Sequence, residues 1–138
     1  MDDQQLMIGL DIGKTRIGVA KASWPLGVVQ PWKTIAADDL IGQIQTWAAD
    51  GLLKAVVVGM PRDLSGQDTT QTAYVRDLVE RLRIVLPVPV YVRDEAVTSI
   101  KAEEELRVRG KPYTKADIDA LSAVYILEDY LAHPDEAN

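Results

Sequence analysis

Three acidic residues stand where a carboxylate is costly, and the chemistry they would support is that of a divalent metal. Asp11 ends the run Leu6-Met7-Ile8-Gly9-Leu10-Asp11-Ile12, whose apolar character predicts a central, buried strand. A buried ion costs on the order of several kcal/mol unless something positive meets it. The plainer alternative is an Asp that starts the turn at Gly13; Asp11 alone does not decide between the two. Glu95 follows the strand-like run Val88-Pro89-Val90-Tyr91-Val92 in Arg93-Asp94-Glu95. The carboxyl ends of parallel strands are where sites gather in α/β sheets, although a solvated loop acid is the simpler reading of Glu95 by itself. Asp119 interrupts Ile118-Asp119-Ala120-Leu121-Ser122-Ala123-Val124-Tyr125-Ile126-Leu127, apolar or small nearly all round, as in a buried helix. A first-turn acid favoured by the helix dipole is the alternative there, and it suits Asp117 better.

Taken together, an Asp from the first strand, a Glu after the fifth and an Asp on the last helix can converge at one edge of a sheet. Oxygen ligands with few protein contacts suit Mg²⁺ or Mn²⁺, which keep waters and take phosphate oxygens. Two such ions can support phosphodiester hydrolysis. Cations near the trio would serve the substrate: Lys14, Arg16, Lys21 and Arg62 could form a phosphate-facing patch, with Lys21 equally a solvated strand end. Arg107, Arg109, Lys111 and Lys115 surround Gly110-Lys111-Pro112-Tyr113, a second segment that could touch nucleic acid.

Composition bounds these readings. The chain has 138 residues, no Cys, 47% hydrophobic residues and a net charge of −6. That size predicts one domain, 1–138, able to bury a real core. Without Cys there are no disulfides and no thiolate metal site. No apolar run approaches the ~20 residues that span a bilayer, and the acidic N-terminus lacks a signal peptide's basic region. A cytoplasmic protein without membrane association is expected. The charge is uneven: residues 1–115 carry 15 basic and 15 acidic residues, whereas the last 23 carry six acids and no Lys or Arg. A neutral body with local basic patches predicts local phosphate contact, not binding by the whole surface.

The elements that must position the trio follow from periodicity. Strands are predicted over 6–12, 16–21, 27–35, 54–59 and 87–92, the third edge-like because of Pro31. Helices are predicted over 39–49 behind Asp38, 70–85, 99–108 and, capped by Thr114, 115–131. Three strands, then strands alternating with helices, give a mixed sheet with helices on both faces. This order resembles the ribonuclease-H-like layout. A doubly wound flavodoxin-like sheet is the alternative, but its first strand would lead into a helix.

The motifs themselves resemble a family. Gly9-Leu10-Asp11-Ile12-Gly13-Lys14-Thr15-Arg16-Ile17-Gly18-Val19-Ala20 is similar to the opening motif of the YqgF/RuvX-type Holliday junction resolvases, also described as pre-16S rRNA nucleases. Val57-Val58-Gly59-Met60-Pro61 with Gly66, Asp94-Glu95 with Thr98 and Ser99, and Asp119-Ala120-Leu121-Ser122-Ala123 with Ile126-Leu127 and Tyr130-Leu131 resemble its later motifs, in order. The resemblance implies a ribonuclease-H-like α/β fold, a Mg²⁺- or Mn²⁺-dependent nuclease, and Asp11, Glu95 and Asp119 as its acidic triad. It also implies that Arg16 and the loop 61–66 lie near substrate; with the basic patch and the third motif, the expected substrate contacts are Lys14, Arg16, Arg62, Thr98 and Ser99. The expected partner is nucleic acid, as structured RNA or branched DNA, with a homodimer suited to cutting two symmetric strands. Three departures stand out: Ala96 replaces the family's Arg, Lys14-Thr15 inverts its usual Thr-Lys order, and Ala22-Ser23-Trp24 replaces a frequent acidic residue.

Two rivals remain at this stage. An actin-like ATPase shares a related core and an Asp-Ile-Gly-Lys-Thr-like phosphate loop, but needs two domains to close on nucleotide. A catalytically weak nucleic-acid-binding module of the same fold suits Ala96 and the acidic balance, yet has no need for three clustered anions. His133, the one histidine, lies in a tail expected to fray, and Trp24, Trp32 and Trp47 suit packing or a dimer contact better than base stacking.

Overall fold

Alternation along the first strand sets the architecture. In β1 (Gln5–Ile12), Ile8, Leu10 and Ile12 enter one hydrophobic core while Met7 enters another. Successive side chains of a strand point to opposite faces, so β1 needs cover on both. The computed structural model describes residues 5–25, 27–95 and 98–134, and it supplies that cover. β1 is the middle strand of a five-stranded sheet ordered β3-β2-β1-β4-β5. β2 (Arg16–Trp24) and β3 (Val29–Ala36) complete an antiparallel meander, and β4 (Leu53–Pro61) and β5 (Val90–Glu95) add parallel strands. This is the mixed α/β sheet expected from the element order.

On one face lie α1 (Leu40–Ala48), entered through a 3₁₀ turn (Ala37–Asp39), and α2 (Thr70–Val85). On the other, α4 (Lys115–Ala132) crosses the sheet with α3 (Thr98–Arg109) beside it. Among the described residues no helix is long and apolar enough to cross a membrane.

Several boundaries differ from expectation for physical reasons. Asp38 makes no side-chain cap; the chain enters α1 through the 3₁₀ turn instead. β5 starts at Val90 rather than 87, because Pro87 and Pro89 have no N–H to give a ladder. It also runs on to Glu95, since β4 continues beside it to the Pro61–Glu95 pair. Glu95 is therefore a strand residue. Thr114 does cap α4, in a reciprocal box with Asp117.

Specific bonds hold the helices over the strand ends. The Gln71 amide donates to the Ile12 carbonyl at 2.9 Å and the Thr72 hydroxyl to the Pro61 carbonyl at 2.5 Å, tying α2 to the ends of β1 and β4. The Thr34 hydroxyl donates to the Ala116 carbonyl at 2.8 Å, tying edge strand β3 to the start of α4. Trp32 and Trp47 pack on each other, centroids 4.7 Å apart, against the core under α1.

Candidate active site

Strand register decides which way each candidate faces. Asp11 pairs with Gly18 on β2 and lies one residue beyond the Leu10–Val58 pair, beside Gly59 on β4. Gly59 in turn pairs with Arg93 on β5. Asp11 shares the parity of Met7 and Gly9, so it faces α4; Glu95 shares the parity of Tyr91 and Arg93 and faces the same way. Both carboxylates sit at the C-terminal ends of their strands.

Two glycines bring α4 close enough to add Asp119. A Cβ at Gly18 would lie 2.0 Å from the Asp119 carbonyl oxygen, and one at Gly59 would lie 2.4 Å from the Ile126 Cδ1 atom. Bare backbone at these positions lets the helix rest on the sheet at the level of Asp11. Gly59 also leaves space between β1 and β5: the Glu95 Cγ comes within 3.7 Å of the position its Cβ would take.

The three carboxylates do not form one cluster. Asp11 and Asp119 are electrostatic neighbours, and the Asp11 carboxyl is pushed up to about 7, first by burial and then by the Asp119 charge. Among the described residues no side chain bonds to the Asp11 carboxylate. Asp119 accepts a hydrogen bond from Arg16 Nε in an ion pair at the rim. Glu95 is also pushed up to about 7, by burial and then by Asp129, with Lys101 and Arg93 acting in the opposite sense. Its charged neighbours are thus Asp129, Lys101 and Arg93, not Asp11. No group of three acidic or histidine side chains among the described residues is gathered tightly enough to hold a metal. Asp119 meets Arg16, whereas Glu95 lies beside Asp129, whose charge opposes its ionisation, and near Lys101 and Arg93, which favour it.

The donor set still fits a hard divalent cation. Asp11 and Asp119 offer adjoining oxygens, Asp11 has no protein cation of its own, and Glu95 lies on the same face across Gly59. Oxygen donors with few further protein groups match Mg²⁺ or Mn²⁺.

The expected substrate contacts divide. Lys14 is exposed in the turn between β1 and β2, and no described residue pairs with it. Ser99 is exposed on α3 and lines a groove of about 280 Å³ with Arg16, Lys115 and Asp119. Thr98 begins α3, and its side chain lies outside the described residues, as does Ala96. Arg62 lies in the loop after β4 and is paired with two acids. Its Nε and Nη2 donate to Asp94 Oδ1 at 3.2 and 3.1 Å, and its Nη1 pairs with Asp68. The guanidinium is committed to clamping the loop after β4. Inside that loop Asp63 accepts from the Ser65 hydroxyl at 2.7 Å and from the Ser65 and Gln67 amides, each at 2.9 Å. The Ser65 hydroxyl bond, foremost, holds the Asp63 carboxyl below the usual range. Arg62→Ala should raise protease and hydrogen-exchange sensitivity in 62–68 while lowering global stability by no more than about 1 kcal/mol, as for exposed ion pairs. Peptide-resolved exchange measures this, and unchanged exchange in the loop would contradict the clamp.

Arg93 and Asp129 were not foreseen. Arg93 is only 7% exposed and donates from Nε to Asp129 Oδ2 at 3.0 Å and from Nη1 to the His133 carbonyl at 3.0 Å. The signal was present: Arg93 lies two residues before Glu95 and so on the same strand face, an argument open only once β5 is known to reach Glu95.

Comparison with known proteins adds to this geometry. The family model described as RuvX, Holliday junction resolvase, matches residues 5–133. A Chloroflexus aggregans protein is 39% identical over 134 residues, covering 94% of each chain. A Nitratidesulfovibrio vulgaris protein is 36% identical over 139 residues, again covering 94% of each. Both carry the name "Putative pre-16S rRNA nuclease". Among solved structures, Thermus thermophilus RuvC in complex with a Holliday junction substrate aligns with a TM-score of 0.52 at 18% identity, over 97% of this chain and 98% of that one. A second Thermus thermophilus RuvC structure gives 0.50 at 18% identity, over 97% and 99%. The ribonuclease-H-like fold expected from the element order is the one shared with RuvC.

Proposed function

Because the chain belongs to the RuvX family of Holliday junction resolvases, we propose that it is a divalent-metal-dependent nuclease hydrolysing phosphodiester bonds in structured nucleic acid. The observation that carries the reading is Asp11: a carboxylate near the end of the central strand, raised by burial and by Asp119, with no cation from the described protein. A purely structural carboxylate at that position would have a protein partner.

Asp11, Asp119 and Glu95 are the proposed ligands of one or two Mg²⁺ or Mn²⁺ ions. Bound there, such ions supply Lewis-acid activation of water and neutralise charge developing at phosphorus. The protein's own part is positional. β1 fixes Asp11, Gly18 lets α4 deliver Asp119, and β5 holds Glu95 on the same face beside Gly59. Arg16 and Ser99 line the groove beside Asp119, and they, with Lys14 and Thr98, are assigned to the phosphates flanking the reacting one. Arg62 contributes by holding its loop. The unit of function is the single domain, 1–138, acting in the cytoplasm, with a two-fold dimer suited to a junction's paired strands.

The family name and the names of the relatives point to two substrates, a four-way DNA junction and precursor 16S rRNA. A cleavage panel of both, with duplex and single-stranded controls, in Mg²⁺, in Mn²⁺ and in chelator, tests the reading. The expected result is divalent-dependent cleavage of one structured substrate above the controls. Retained binding with no cleavage in either metal would favour the binding-module alternative.

A further inference from the structure

We propose that Arg16 is a built-in counter-ion of Asp119, one that a divalent cation displaces and that then turns to a substrate phosphate in the groove beside Asp119. This rests on the metal-site reading above.

The geometry supports exchange at one end of a fixed residue. Arg16 is the first residue of β2, and its carbonyl accepts from the Gly13 N–H at 3.0 Å, so its backbone is held by the hairpin. Its side chain is 42% exposed whereas that of Asp119 is 18% exposed, so the guanidinium lies at the rim and the carboxylate inside. The Nε atom alone donates to Asp119. This is not the two-pronged fork that makes Arg–carboxylate pairs strong. A one-point ion pair whose guanidinium is 42% exposed is open to exchange at its cationic end.

The groove gives the released guanidinium a destination. It is an open groove of about 280 Å³, ample for a phosphate group, lined by the cations Arg16 and Lys115, the Ser99 hydroxyl and the acids Glu103 and Asp119. Lys115 is exposed and pairs with no described residue, and the Ser99 hydroxyl offers a donor. While Arg16 neutralises Asp119, Lys115 is the one cation left to the groove, and Glu103 opposes it. A divalent ion on Asp11 and Asp119 would repel the guanidinium and take its acceptor. Arg16 and Lys115 would then face the phosphate together, two cations against the single groove acid Glu103. Metal and nucleic acid binding are thereby coupled, and the coupling is reciprocal.

The test is a calorimetric titration of Mn²⁺, without nucleic acid, into wild type, Arg16→Gln, Arg16→Lys and Asp11→Asn, each checked for a cooperative melt. Removing the competing cation should make Arg16→Gln bind Mn²⁺ roughly five-fold or more tightly than wild type, the lower range of allosteric couplings. Arg16→Lys, which keeps the charge, should stay near wild type. Binding of a phosphorothioate-protected substrate should tighten on adding Ca²⁺ in wild type and not in Arg16→Gln. Mn²⁺ affinity in Arg16→Gln equal to or weaker than wild type, with Asp11→Asn losing Mn²⁺, would overturn the exchange and leave the metal site standing. Wild-type Mn²⁺ affinity in Asp11→Asn would overturn the metal site itself.

Discussion

Asp11→Asn should abolish metal-dependent cleavage and, in chelator at pH 8, make the protein more stable than wild type. The first effect is the loss of a metal-ligating charge, expected to lower the rate by roughly 10³-fold or more. The second follows from linkage. The folded Asp11 carboxyl lies at about 7 against an ordinary 3.8, so the folded state holds its proton more tightly than the unfolded chain. Its favourable contribution is complete below pH 4 and is lost as pH rises through 7. Asn keeps the shape and never ionises. The gain over wild type should therefore be small at pH 4 and on the order of 2–4 kcal/mol at pH 8. Glu95, also raised to about 7, adds the same trend to both proteins and cancels in the difference. Denaturant melts at the two pH values measure this. A variant that melts lower than wild type in chelator at pH 8 would mean that Asp11 is a structural turn-former.

Gly18→Ala should be the most damaging of the glycine-to-alanine changes. Its Cβ would meet the Asp119 carbonyl oxygen at 2.0 Å, the Asp119 carbonyl carbon at 2.2 Å and the Ala120 nitrogen at 2.8 Å. All three are backbone atoms, so no side chain can rotate away; α4 must lift or β2 must bend. Overpacking of this kind costs about 1–3 kcal/mol or more, and lifting α4 takes Asp119 away from Asp11. Stability and Mn²⁺ binding should therefore fall together. Gly42→Ala is the control with the opposite sign: nothing lies within 4 Å of its Cβ, and it sits inside α1. It should stabilise by about 0.5–1 kcal/mol, the usual helix-interior difference between Ala and Gly. Equal stability of Gly18→Ala and wild type would contradict the close approach of helix and sheet.

What the sequence made legible was local. The apolar run around Asp11 marked a buried strand because both its faces are covered, and β1 is indeed central. Thr114 announced α4 because a capping box is written within four residues. Contacts between distant segments were not legible. Gly18 reads as part of a motif until α4 is seen resting on it, 101 residues later in the chain. Arg93 reads as a loop charge until β4 is seen extending β5 as far as Glu95, which then lines Arg93 up with Asp129 on the helix. Arg62 looked free because nothing in its neighbourhood shows that Asp94, 32 residues on, would reach it. The residue types of the trio were readable one by one. Their neighbours, Arg16 for Asp119 and Asp129 for Glu95, depend on how strands and helix are brought side by side.

The central claim is that these carboxylates exist to hold a divalent ion, and anomalous diffraction from Mn²⁺-soaked crystals tests it most directly. The account predicts an anomalous peak ligated by Asp11 and Asp119, with Glu95 turned from Asp129 toward it and Arg16 withdrawn from Asp119. No peak at that site at millimolar Mn²⁺, with Arg16 still bound to Asp119, would contradict it.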